Sequence, residues 1–301
     1  MKTETAKPRR RLFQRLEENL PPLEITKRDL RILQLVRDYR FLNTEQIQAL
    51  VGGSNHNVAE RLSRLFHHGY LDRPLHQREL RTEGYRLMIY ALAPKGARIL
   101  SERSGMHAKL PRHLGEHNRS AKRFHLVHTL MVSQFRACLT LACIEHPDVR
   151  LSSWEVSETR LTRVTVDRRR VAVIPDAYFT LERTDGQRAH FFLEADRGTM
   201  TQARFLRKLQ AYWRVRFANQ NPSIPNAFRV LTVTRSLRRA ANLRAAAIYA
   251  DPKHRGSHMF YFATEGSYNL DHPHAVLEEI WRTAADSELH SLLEGRGGAR
   301  G

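Results

Sequence analysis

Apolar positions recur at helical spacing in three consecutive blocks near the start of the chain. Leu30, Ile32, Leu33, Val36 and Phe41 follow Thr26, and Asp29 three residues after it completes the pattern of a capping box. Asn43-Thr44 opens a second block, with Ile47, Leu50 and Val51 apolar, that turns at Gly52-Gly53. Ser54 opens a third, with Val58, Leu62, Leu65 and Phe66 apolar, that stops at Gly69. The period then changes. A short strand is expected over 70–73, an arginine-rich polar loop over 74–84, a returning strand over 85–92 and a helix from Pro94.

Further on, residues 120–146 predict one long helix. Strands are expected over 149–157, 170–181 and 189–196, a helix over 200–217, a strand over 228–234, a helix over 237–249, a strand over 259–263 and a last helix over 275–293. That order describes a mixed sheet with helices on both faces, an α/β (α+β mixed) chain. The polar, histidine-rich stretch 104–119 reads as a linker between a first domain, 25–103, and a second, 120–294. Residues 1–24 read as a basic flexible arm and 295–301 as a disordered tail.

Three helices and a two-stranded wing is the winged helix-turn-helix pattern, in which the third helix enters the major groove of DNA. Its polar face offers Ser54, Asn55, His56 and Asn57 to base edges and Arg61 and Arg64 to phosphates, while Arg78 and Arg81 of the wing reach the backbone. Such domains also serve as protein-interaction modules. Charge weighs toward nucleic acid: 50 Lys plus Arg stand against 31 Asp plus Glu, a net +19. Cys138 and Cys143 suit neither a disulfide framework nor a zinc site. With no secretion-type apolar segment at the start and no long apolar run, the sequence reads as that of a soluble protein of a reducing cytoplasm.

The second domain carries the candidate chemistry. Asp176 sits on one expected strand, Glu194 and Asp196 end the next, and Lys208 and Tyr212 lie one turn apart on the helix that follows. Carboxylates beside a lysine and a tyrosine suit a hard divalent cation, Mg²⁺ or Mn²⁺, next to phosphate. Whether they meet depends on the Asp185-Gly186 turn. A two-residue loop sets Ala177 against Glu194 and sends Asp176 to the other face. A three-residue loop, 184–186 with Gly186 left-handed, sets Asp176 against Glu194 with Asp196 on the same face. No glycine-rich phosphate loop, dinucleotide fingerprint or G-x-S-x-G elbow is present, which removes the common ATP, NAD and hydrolase readings.

Pro175-Asp176 followed by Glu194-Ala195-Asp196 in this element order resembles the PD-(D/E)XK, restriction-endonuclease-like fold. The strings VIPDAYFTL, FFLEADRGT and KLQAY, joined to an N-terminal winged helix, resemble the replication-relaxation family of plasmids and integrative elements. The likeness runs from about residue 25 to 265. It implies a protein acting on double-stranded DNA of mobile elements, in replication initiation or as a relaxase-like nickase, with replication or conjugation machinery as partners. Asp176 then matches the motif aspartate and Glu194 the motif glutamate. Asp196 stands where nucleases of that fold carry lysine, so Lys208, or less readily Arg197, would have to supply the positive charge. Tyr212 would orient a phosphate or attack it. A degenerate, purely DNA-binding scaffold is the alternative.

Overall fold

The computed structural model describes residues 12–16, 20–104, 118–156, 162–166, 169–217, 225 and 227–294. Contacts divide the chain into two compact units, Met1–Ser133 and Gln134–Gly301. The division falls inside a helix, not at the expected linker, most of which lies outside the described residues.

In the first unit α1 (Lys27–Tyr39) begins at the expected capping box: Thr26 accepts from the backbone of Asp29, and Asp29 reaches back to the amide of Thr26 at 2.8 Å. A two-residue strand, β1 (Leu42–Asn43), precedes α2 (Thr44–Val51), whose cap is Asn43. Ser54 caps α3 (Asn55–His67). After β2 (Leu71–Asp72) the expected polar loop contains a short helix, α4 (Gln77–Thr82), because Leu80 turns inward and buries. Next come β3 (Ile89–Leu92) and α5 (Pro94–Ser104). The three strands form one antiparallel sheet in the order β1-β3-β2. The described part of the arm is packed rather than loose. Arg15 pairs with Asp72, donates to the carbonyls of Phe66 and Leu71, and stacks on the Phe66 ring.

The long helix, α6 (Arg123–Glu145), contributes to both units. By length and composition alone it would pass for a membrane-crossing helix. Several of its apolar residues pack into the protein interior, while Phe124 and Ile144 stay exposed. Leu126 and Leu130 join Phe41, Ile89 and Ala91 in the first unit. Phe135 in the second unit meets the rings of Trp154, Phe179, Tyr268 and Trp281.

The second unit is built on a seven-stranded mixed sheet whose strands, from edge to edge, are β12 (Leu289–His290), β11 (Trp281–Thr283), β10 (Phe260–Thr264), β9 (Phe228–Thr234), β8 (Arg188–Asp196), β7 (Ala177–Arg183) and β4 (Val149–Val156). β4 (Val149–Val156), β7 (Ala177–Arg183) and β8 (Arg188–Asp196) form an antiparallel meander. The crossover helix α7 (Gln202–Phe217) then returns the chain to β9 (Phe228–Thr234), parallel to β8. α8 (Leu237–Ala247) leads to β10 (Phe260–Thr264), parallel to β9. The α7 and α8 side packs Phe192, Phe205, Leu209, Tyr212, Val230 and Phe262 into one core.

Two expectations are corrected here. The strand over 170–181 is two: β6 (Arg169–Val173) pairs with β5 (Thr162–Val166) in a separate ribbon, and β7 starts only after Pro175, which has no amide hydrogen to donate to a ladder. β5 was not foreseen. The last helix, over 275–293, is instead a 3₁₀ turn (Pro273–Leu277) followed by β11 (Trp281–Thr283) and β12 (Leu289–His290). Trp281 and Thr283 are buried on either side of exposed Arg282, the period of a strand.

Candidate active site

The turn between β7 and β8 is the three-residue form. Arg183 and Gln187 close it, the Arg183 amide donating to the Gln187 carbonyl at 2.9 Å, and Gly186 adopts φ 82°. A side chain there would be strained, which is why glycine fits. Pairing continues from Glu182↔Arg188 to Ala177↔Leu193, and one step further sets Asp176 against Glu194. The Asp176 amide donates to the Leu193 carbonyl at 2.9 Å, and the Ala195 amide donates to Asp176 Oδ2 at 2.7 Å. The aspartate is therefore aimed by main chain on both sides.

Glu194 points from β8 toward α7. Its two carboxylate oxygens are taken by Lys208 Nζ and by the Tyr212 hydroxyl, and Lys208 also donates to the Ile174 carbonyl at 2.9 Å. Lys208 and Tyr212 share a helix face because they are four residues apart. Glu194 is only 5% exposed. Burial, reinforced by the charge of Asp176, pushes its carboxyl up to about 7 against the opposing pull of Lys208 and Tyr212. Tyr212 is fully buried. Burial and the adjacent glutamate raise its hydroxyl well above the ordinary tyrosine value. A phenol so placed holds Glu194; it is not presented to attack a phosphate.

Asp196 lies on the same face but belongs to a different partnership. Arg239, in the first turn of α8, grips both its oxygens at 2.8 and 3.1 Å, and Thr234 Oγ1 and the Gly198 amide donate to Oδ2 at 3.3 and 3.2 Å. Oδ2 thus takes three donors and Oδ1 one, so protein partners hold Asp196 in place while Oδ1 keeps acceptor capacity. Arg239 escaped the sequence reading because it lies 43 residues away on another element. Thr232 was missed too. It is paired with Glu194 across the parallel β8/β9 ladder, so it shares that face. Its buried Oγ1 makes no hydrogen bond among the described residues. An orphan hydroxyl beside buried carboxylates marks a place where a water or a ligand belongs.

Within this order of strands and helices, the middle of the chain matches a known family. The matched stretch is residues 33–227, described as replication-relaxation. The chain belongs to the replication-relaxation family. The match includes Asp176, Glu194, Asp196, Lys208 and Tyr212, and it ends before Thr232 and Arg239. No curated protein and no solved structure matches the chain. Membership places this replication-relaxation protein in the biology of replication and mobile elements.

The candidate DNA-facing residues divide. Asn55, His56 and Asn57 are exposed on the first turn of α3, below the Ser54 cap, which accepts the Asn57 amide at 3.3 Å. Arg61 is not free for phosphate. It is ion-paired with the buried Asp29 and donates to the Glu24 carbonyl at 2.6 Å. Arg61 holds the Asp29 carboxyl below its usual range, opposing the burial that pushes it up. Arg64 donates to the Pro22 carbonyl at 3.3 Å. Arg78 stacks over the Phe13 ring, and Arg81 donates to the Arg86 carbonyl at 2.9 Å. Four arginines chosen for phosphate contact thus have intramolecular partners, and two of them tie α3 to the segment before α1.

Proposed function

We propose that this replication-relaxation protein is a DNA-processing factor of plasmid or integrative-element maintenance, acting in the cytoplasm on double-stranded DNA with a metal-dependent strand-nicking site at Glu194. One observation carries the reading: Lys208 reaches Glu194 from α7, opposite Asp176 on the neighbouring strand. That supplies the acid, acid, lysine trio of a nuclease-like site even though Asp196 occupies the usual lysine position. The order α6, β4, β7, β8, α7, β9 agrees with the PD-(D/E)XK arrangement.

Asp176 and Glu194, with Asp196 on the same face and Thr232 paired to Glu194 on the neighbouring strand, are the groups that would hold Mg²⁺ or Mn²⁺. When bound, such a cation polarises a phosphate oxygen and lowers the pKa of a coordinated water. Lys208 would place its ammonium beside the scissile phosphate once the cation shares Glu194. Tyr212 positions the glutamate. The first unit would deliver the DNA: its element order and three-stranded sheet support a winged helix, with Asn55, His56 and Asn57 as the exposed readers.

The test is nicking of a supercoiled plasmid carrying the origin of the encoding element, with Mg²⁺ or Mn²⁺, by wild type, Glu194→Gln and Lys208→Met. Metal-dependent nicking lost in both variants supports the proposal. Intact plasmid with wild type, together with tight site-specific binding, would establish the second reading. In that reading the chain is a non-catalytic initiator or repressor, and the cations already seated on Glu194 and Asp196 are structural.

A further inference from the structure

At the opposite edge of the same sheet, three segments bring together a set of metal-ligating groups unrelated to Glu194. His258 precedes β10, Asp286 lies in the turn between β11 and β12, and His290 ends β12. One ligand atom from each lies within 4.8 Å of the other two. His290 Nε2 is 2.9 Å from Asp286 Oδ1, and His258 Nδ1 is 3.6 Å from Asp286 Oδ2. The two imidazoles meet edge to face at 5.3 Å between centroids.

The surroundings hold these groups in place. His290 Nδ1 is 3.0 Å from Glu294 Oε2, and Glu294 Oε1 accepts the Ser291 amide at 2.9 Å. Asp286 is fixed by the Glu288 amide at 3.1 Å and the Thr283 hydroxyl at 3.3 Å. Contacts to carboxylates at both ring nitrogens require His290 to carry two protons. A cation that replaced only the Nε2 proton would leave Nδ1–H donating to Glu294. That is the carboxylate–histidine–metal relay which fixes tautomer and ring orientation in metal sites.

We propose that His258, Asp286 and His290 form a second site, for a zinc-like divalent cation, in which Glu294 orients His290. Two imidazoles and a carboxylate, with water completing the set, suit Zn²⁺ or Co²⁺ far better than Mg²⁺. Bound there, the ion would tie the end of β12 and the β11–β12 turn to the start of β10. Those outer strands are only three and two residues long. The role is structural and independent of the nicking reading. His258, whose side chain is 62% exposed, closes the set, so the ion can enter from solvent without opening the core.

The experiment uses the full chain, stripped with chelator and titrated with Co²⁺ and then Zn²⁺. The expected result is one equivalent of Co²⁺ that gives the visible d–d bands of a four-coordinate centre, separate from any band-poor binding at Asp176 and Glu194, bleached by Zn²⁺, with a melting temperature several degrees higher with metal. His258→Ala leaves an exposed position and should fold as wild type does, with at least a tenfold loss of affinity and no bands. Glu194→Gln should keep the four-coordinate bands and their Co²⁺ affinity, whatever binding it loses at its own site. Absence of the bands in wild type, equal affinity in His258→Ala, or loss of the site in Glu194→Gln would each overturn the assignment.

Discussion

The acids of β8 and the arginines of α3 were selected from the sequence by the same reasoning, polar residues on one face, and the structure treats them oppositely. Asp176, Glu194, Lys208 and Tyr212 converge, because strand register and a four-residue helix spacing leave their side chains no other direction. Arg61 and Arg64 start from the expected face and turn back onto Asp29, Glu24 and Pro22. A short side chain on a strand inherits its aim from the backbone. An arginine, with its long flexible stem, goes to whichever acceptor is within reach.

The contrast can be broken most sharply at Arg61. If its function is to pair with Asp29, Arg61→Ala strands a buried carboxylate and should lower the stability of the first unit by about 3 kcal/mol in urea melts. At temperatures where the variant remains folded, its DNA affinity should change little. A stable variant with a large loss of affinity would return Arg61 to the DNA interface.

Glu194 tests the other side through pH. Its folded value, about 7, is above its ordinary value of 4.5, so the folded state binds the proton more tightly. The stabilisation is fully present below pH 4.5 and is lost as pH rises through 7, a change of up to about 3 kcal/mol. Glu194→Gln, which mimics the protonated acid, should flatten unfolding free energy over that window. A wild-type profile already flat there would show the carboxylate ionised and settled on Lys208.

Smaller effects sharpen the comparison further. Replacing Asn55, His56 and Asn57 together with alanine should weaken specific DNA binding by about 1–3 kcal/mol with no change in melting, since all three are exposed. Unaltered binding in a gel-shift assay would remove α3 as the reader. Thr232→Val deletes the orphan hydroxyl beside Glu194. It should stabilise the metal-free protein by about 1 kcal/mol and weaken Mn²⁺ binding, measured by calorimetric titration. Tighter Mn²⁺ binding would show that the hydroxyl is not part of a cation site.

What could be read in advance follows the same division. The caps at Thr26, Asn43 and Ser54 are local and were visible, as was the choice between two hairpin registers, which the closure of the turn by Arg183 and Gln187 decides. Lys208 was foreseen as the substitute cation because it sits on the next element. The grip of Arg239 on Asp196 was not, since it joins the ends of two strands through a helix that spacing alone cannot aim. At the C-terminal end, Val276, Leu277, Ile280 and Trp281 fit a helical period, but the sheet edge beside β10 takes Trp281 as a strand residue, so tertiary pairing overrides the local pattern. The inserted α4 was concealed by its arginines, which mask its single buried apolar residue, Leu80; the other buried position is Gln77.

The turn at 184–186 has a consequence for how such a gene can drift. Exchanging its letters is tolerable as long as a left-handed position survives, but deleting or adding one codon would rotate the rest of β8 by half a turn. An insertion would put Leu193, and a deletion Ala195, in front of Lys208 in place of Glu194, and the acid would be driven into the aromatic layer around Phe179 and Phe135. Odd length in that loop is therefore a tighter inheritance than any of its residues, and related chains that keep a working pocket should differ there by two residues or by none.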